Sequence, residues 1–163
     1  MTMTVDPRLL TLPSGGGKAI WFLANRVTIK ATGEDTGELH SLSEVEVAPG
    51  FATPVHIHHR EDESFYVLTG RFRFECASES IDAEPGSYVR LPRDVPHWFA
   101  NVGEAPGRML NIMSPGGGEA FFVEAGRPAN ADGLPPAGPP DLEALQRAAP
   151  IYGLEILGPP PAA

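Results

Sequence analysis

An all-β fold, one antiparallel barrel with a short helix near the C-terminal end, is what this sequence predicts, on three observations. Gly and Pro each occur 18 times in 163 residues, which interrupts the chain too often for long helices and suits short strands joined by turns. Short runs rich in Val, Ile, Phe and Tyr alternate in polarity, as strands with one buried face do. These runs recur at about ten-residue spacing with turn residues between them, the pattern of sandwiches and barrels.

The elements follow in order. Residues 1–18 read as a flexible arm ending in Ser14-Gly15-Gly16-Gly17, so the barrel is expected over 19–125. Its predicted strands are Ile20 to Leu23, Val27 to Thr32, Ser41 to Val47, Val55 to His58, Glu63 to Leu68, Arg71 to Cys76, Ser87 to Leu91, His97 to Asn101 and Arg108 to Met113. Turns are expected at Thr32 to Gly37, Pro49-Gly50, Thr69-Gly70, Glu84-Pro85-Gly86, Pro92 to Pro96 and Val102-Gly103, where Gly, Pro and Asp supply turn geometry. Pro115 to Gly118 breaks the last strand, and no helix start is read there. Residues 126–163 read as a Pro/Gly-rich linker, a short helix and a tail packed on the barrel. Asp141 precedes Leu142, Leu145 and Ala149 at helical spacing, so it is placed as the helix N-cap, with Pro150 as the stop. Ile151, Leu154, Ile156 and Leu157 are expected to dock on the barrel exterior.

Composition narrows the function. A length of 163 residues fits one domain with its own core. The net charge of -9, with only 12 scattered Lys and Arg, argues against nucleic-acid binding, which needs clustered cations. One cysteine, Cys76, forbids an internal disulfide, and no leader-like run opens the chain, so a cytoplasmic location is expected. No apolar stretch approaches the roughly 20 residues that cross a bilayer.

The chemistry concentrates in Val55-His56-Ile57-His58. Strand residues two apart share a face about 7 Å apart, so His56 and His58 can converge on one ion while Ile57 faces the other way. Glu63 lies five residues past His58, the wrong parity for one unbroken strand. The polar loop His59-Arg60-Glu61-Asp62 is expected to reset that parity, placing Glu63, Phe65 and Val67 on an inward face. His97 follows the rigid turn Pro92 to Pro96 and supplies a fourth donor. Three imidazoles and a carboxylate suit one divalent transition ion, Mn, Fe, Co, Ni, Cu or Zn, better than Ca or Mg.

These residues resemble the cupins. Gly50, His56, His58, Glu63 and Gly70 stand at the spacing of the first cupin motif, and Gly86, Pro92, His97 and Asn101 at that of the second. Asp94 stands where the family usually has Gly, and Asp tolerates left-handed turn geometry. The resemblance implies a jelly-roll barrel, often dimeric, with a metal held inside one end by His56, His58, Glu63 and His97. The run from His58 to Gly70, Ser114-Pro115-Gly116-Gly117 and the tail from Tyr152 to Pro159 are similar to the small quercetinase-like cupins, the flavonol dioxygenases. That likeness implies Glu63 as both metal ligand and catalytic base.

The remaining candidates have plainer readings. His40 receives no role. His59 is read as solvent-facing, with an alternative-ligand role as the lesser reading. Cys76 reads as a small buried hydrophobe, and Asn101 as a turn-fixing amide. Phe65 and Phe99 share the faces of Glu63 and His97, and they wall a substrate pocket together with Met109 or Met113. Four protein donors leave positions on the ion for a small-molecule substrate and dioxygen. A dioxygenase, an oxidoreductase acting on an aromatic or enol-containing molecule, is the leading expectation. A non-redox isomerase, epimerase or lyase and a ligand-binding cupin without turnover are the alternatives.

Overall fold

The computed structural model describes residues 8–161; the arm expected over 1–18 falls partly outside them. From Leu9 to Gly17 the chain forms no helix or strand, although Lys30 Nζ donates to Gly16 O (2.5 Å). Two antiparallel sheets then face each other. The first contains seven strands in the order β11-β1-β2-β3-β10-β5-β8 and the second five in the order β12-β4-β9-β6-β7. In chain order these are β1 (Lys18–Phe22), β2 (Asn25–Ala31), β3 (Ser41–Val47), β4 (Val55–His58), β5 (Asp62–Thr69), β6 (Phe72–Cys76) and β7 (Glu79–Ala83). They continue with β8 (Tyr88–Leu91), β9 (His97–Asn101), β10 (Gly107–Ser114), β11 (Arg127–Pro128) and β12 (Leu154–Gly158). Two α-helices, α1 (Ala120–Ala125) and α2 (Leu142–Ala148), lie in the C-terminal part.

The period-two reading holds where one face is buried. β3 and β10 alternate strictly, with Ser41, Ser43, Val45 and Val47 inward on one and Gly107, Met109, Asn111 and Met113 inward on the other. Between the sheets, Phe65, Phe72, Phe74 and Phe99 fill one half of the barrel, with ring centroids 5.2 to 6.5 Å apart. The other half is left for the polar cluster described below.

Four elements were not anticipated. β7 reads Glu-Ser-Ile-Asp-Ala and stands at the edge of its sheet, so only Ala83 is fully buried and alternation gives almost no signal. α1 begins two residues beyond Gly118, where no helix was expected; six residues are too few for helical periodicity to register. β11 is two residues long. The tail is not merely docked: β12 pairs with β4 and joins the second sheet. α2 is as expected, with Asp141 Oδ1 accepting from Ala144 N (2.9 Å). The segment before it is strapped to the first sheet, since Trp21 Nε1 donates to Gly133 O (3.0 Å) and an Arg26 guanidinium N–H to Ala131 O (2.5 Å).

Two turn positions carry the left-handed geometry the site requires. Gly70 has φ 90°, and a Cβ there would lie 2.8 Å from Gly107 Cα. Asp94 has φ 65°, the conformation expected of a residue standing in for Gly.

Candidate metal centre

The parity problem is solved by a change of sheet. β4 ends at His58 in the five-stranded sheet, and residues 59–61 carry the chain across to β5 in the seven-stranded one. Glu63 therefore faces His56 and His58 from the opposite wall. On β5 the inward set is Glu63, Phe65 and Val67, as the alternation predicts. His97 opens β9 directly opposite His56, so the third imidazole reaches the cluster through sheet pairing.

Donor atoms of His56, His58, Glu63 and His97 all lie within 4.8 Å of one another, and the four residues are 1 to 8% exposed. Two bonds of about 2.1 Å to a shared ion span roughly 4.2 Å, so small rotations suffice to close the set on one cation. Each imidazole has its Nδ1 occupied on the far side: His56 by Pro54 O (2.7 Å), His58 by Glu61 Oε1 (2.9 Å) and His97 by Val95 O (2.9 Å). A carbonyl can only accept, so Nδ1 of His56 and of His97 carries a proton. Their Nε2 atoms are then the metal-binding nitrogens. Glu63 Oε2 lies 3.4 Å from Nε2 of both His58 and His97. His97 Nε2 is buried without a hydrogen-bond partner, which a metal ion would relieve. The residues fit a divalent ion.

Electrostatics agree with a cluster built around charge. Burial pushes the His56 imidazole down to about 3, helped by the His97 and His58 rings beside it. For His58 burial pulls the same way, but the Glu63 charge and the hydrogen bond to Glu61 outweigh it and raise the ring to about 10. Burial works to raise the Glu63 carboxyl, yet the His58 charge and the His97 ring, both close to Oε2, hold it well below the usual carboxylate range.

The site contains two residues the sequence did not single out. Asn111 Nδ2 donates to Glu63 Oε1 at 2.7 Å from β10, leaving Oε2 to face the imidazoles. Its signal was present, because Asn111 is the polar residue at an inward position between Met109 and Met113. Glu61, buried behind His58, gave none.

Beside the cluster is a cavity of about 70 Å3 whose walls include Phe65, Phe99 and Met113. Met109 does not line it; that side chain is fully buried in the core, four residues before Met113 on β10. The roof comes from Phe22, from Phe121 and Phe122 on α1 and from Leu145 on α2. Phe22 meets the two α1 rings edge-on at 5.4 and 5.3 Å. Among the described residues, no Lys or Arg lines the cavity. His59 is not among the four: its ring bridges Asp94 (2.7 Å) and Glu155 (2.8 Å) at the surface. His40 lies in the turn before β3, where its backbone pairs with Thr36. Asn101 fixes the turn after β9, donating to Val47 O and Ala105 O (both 3.0 Å) and accepting from Gly103 N (2.9 Å).

Fold and site together define a two-sheet β-barrel protein with a buried three-histidine, one-carboxylate cluster at one end. Residues 43–113 match the family model described as Cupin domain, and the fold is the cupin fold. Among curated proteins the chain is 31% identical over 79 residues to the uncharacterized protein MJ1618 of Methanocaldococcus jannaschii, across 48% of this chain and 63% of that one. It is also 31% identical over 67 residues to the polyketide synthase CurC of Streptomyces cyaneus, across 41% of this chain and 44% of that one. The chain thus spans less than two thirds of either relative's length. Among solved structures, a predicted oxalate decarboxylase of Thermotoga maritima superposes with a TM-score of 0.59 at 15% identity, covering 64% of this chain and 98% of that one. No helix among the described residues is long and apolar enough to cross a membrane.

Proposed function

We propose that this chain is a metal-dependent cupin oxygenase for an apolar small molecule that presents an enol or phenol hydroxyl. The observation that carries the reading is the pairing of a three-histidine, one-carboxylate donor set with an apolar cavity that has no Lys or Arg in its lining. His56, His58, Glu63 and His97 would hold one divalent transition ion. Bound there, the ion supplies Lewis acidity and exchangeable positions for a substrate oxygen and dioxygen. Glu63 accepts the substrate hydroxyl proton, because Asn111 occupies Oε1 and leaves Oε2 turned into the site. Phe65, Phe99 and Met113 provide the flat apolar walls that orient a ring or a conjugated enol.

Size refines the substrate. A water position needs about 10–15 Å3, so 70 Å3 accommodates a compact β-dicarbonyl or a single ring. A three-ring flavonol would require the α1–α2 roof to move aside. The likeness to a protein named as a polyketide synthase supports enol-rich chemistry.

A second reading, a non-redox lyase or isomerase, is favoured by the likeness to a protein described as a predicted oxalate decarboxylase. Against it, the described residues that line this cavity include no Lys or Arg to hold a phosphate or a second carboxylate. The test is oxygen uptake by protein loaded in turn with Mn, Fe, Co, Ni, Cu or Zn, against a panel of β-diketones, monocyclic enols and flavonols. Product formed only with oxygen consumption supports the proposal. Conversion under anaerobic conditions points to the second reading, and saturable binding without product to a ligand-binding role.

A further inference from the structure

We infer that Glu61 is the positioning residue for His58, and that it sets the affinity of the centre for its metal; this rests on the metal-centre reading above. The three imidazoles are not supported alike. His56 and His97 are each held by the backbone carbonyl two residues earlier, Pro54 O and Val95 O, an arrangement any residue at those positions would provide. His58 is held by a side chain. Glu61 Oε1 lies 2.9 Å from His58 Nδ1, and Glu61 is only 3% exposed although it belongs to the loop that crosses between sheets.

A carboxylate is unfavourable in such a place unless it is hydrogen-bonded or paired, so its burial against a ligand ring calls for a role. The surrounding structure also makes room for it. A Cβ at Gly118 would stand 2.5 Å from Glu61 Oε1 and 2.5 Å from Met113 Sδ, so glycine at this position lets the carboxylate sit between the loop before α1 and the His58 ring. An acceptor on Nδ1 fixes the ring plane, keeps the proton on that nitrogen and turns the Nε2 lone pair towards the centre. A charged acceptor also strengthens the imidazole as a donor.

The experiment is Co2+ titration of metal-free protein against a chelating dye, with the visible Co2+ spectrum and the thermal midpoint of the metal-free protein recorded for each variant. The wild type is expected to bind one Co2+. Glu61→Ala should bind about 10- to 100-fold more weakly with an altered Co2+ spectrum. Glu61→Gln should recover most of that loss, because its amide oxygen can accept the same N–H. Should Glu61→Ala fail to fold, Glu61→Asp takes its place, since its shorter stem withdraws the carboxylate while keeping the charge. Wild-type affinity and spectrum in the Ala or Asp variant would overturn the assignment while leaving the metal centre intact. Equal weakening in Ala and Gln would overturn the hydrogen-bond account. A wild type that binds no Co2+ would instead overturn the metal-centre reading on which the inference stands.

Discussion

His56 and His58 were legible from sequence because what brings them together is local: a two-residue period on one strand puts both rings on one face. Glu63 and His97 needed the family spacing as well, since a sheet crossing and a strand pairing deliver them. Glu61 was illegible, because a glutamate between Arg60 and Asp62 looks solvated until the crossing loop is folded. Glu63 has two duties, and they separate on mutation. Glu63→Ala should abolish turnover while three imidazoles still hold the ion more weakly, read as lost oxygen uptake with residual metal by elemental analysis; undiminished uptake would remove Glu63 as the base. Asn111→Ala withdraws the donor from Glu63 Oε1 and should cost about 1–3 kcal/mol, measured by urea unfolding of metal-free protein. An unchanged midpoint would mean that water replaces the amide. Cys76 is half-buried against the core, and burial pushes its thiol above the ordinary 9.0. Its reactive thiolate is therefore scarcer at pH 8 than in a free peptide. Alkylation by iodoacetamide should lag a model thiol at that pH; equal rates at pH 8 would contradict the packing.

Among the elements, the roof over the cavity is where sequence reasoning stopped short. Its parts are brief or irregular: α1 has six residues and α2 seven, and the strap between them is fixed by Trp21 and Arg26 instead of by regular structure. Phe121 and Phe122 read as a short apolar run, and nothing local says they meet Phe22 across the mouth of a barrel. Asp141 was readable because N-capping is decided within four residues. What anchors α1 is Glu119, 6% exposed, whose two oxygens accept from Gly33 N (2.8 Å) and Gly117 N (2.7 Å). Glu119→Ala leaves those N–H groups without their acceptor and should destabilise the protein by about 1–3 kcal/mol. Because the contact ties α1 to the turn before β3, the loss should be local first. Native-state hydrogen exchange would then show faster exchange at Gly33, at Gly117 and through α1, with the β5–β10 pair unchanged. Uniform acceleration across the barrel would instead mean that the roof and the sheets open as one unit.

Across the whole molecule, the C-terminal strand is what completes the sheet that bears all three imidazoles, two of them on the strand it borders. β4 has only four residues, and it pairs with β9 where His56 stands opposite His97. β12 meets it at four: Leu154 opposite His58, Glu155 opposite Ile57, Ile156 opposite His56 and Gly158 opposite Val55. The tail's Ile and Leu residues announced burial in the sequence, but a pairing partner nearly a hundred residues away leaves no local trace, so a docked tail was the most that could be read. A chain ending at Gly153 should therefore lose more than a peripheral segment. The outer edge of β4 would be bared, the Glu155 contact to His59 would go, and His56 and His58 would sit on a strand held from one side. Two results are expected of the truncated protein: Co2+ affinity lower by about tenfold or more, the scale on which ligand support is felt, and larger species in size-exclusion chromatography as the open edge finds other chains. Full-length affinity together with an unchanged elution profile would show that β9 alone suffices to hold the ligand strand, and that β12 covers the barrel without shaping its centre.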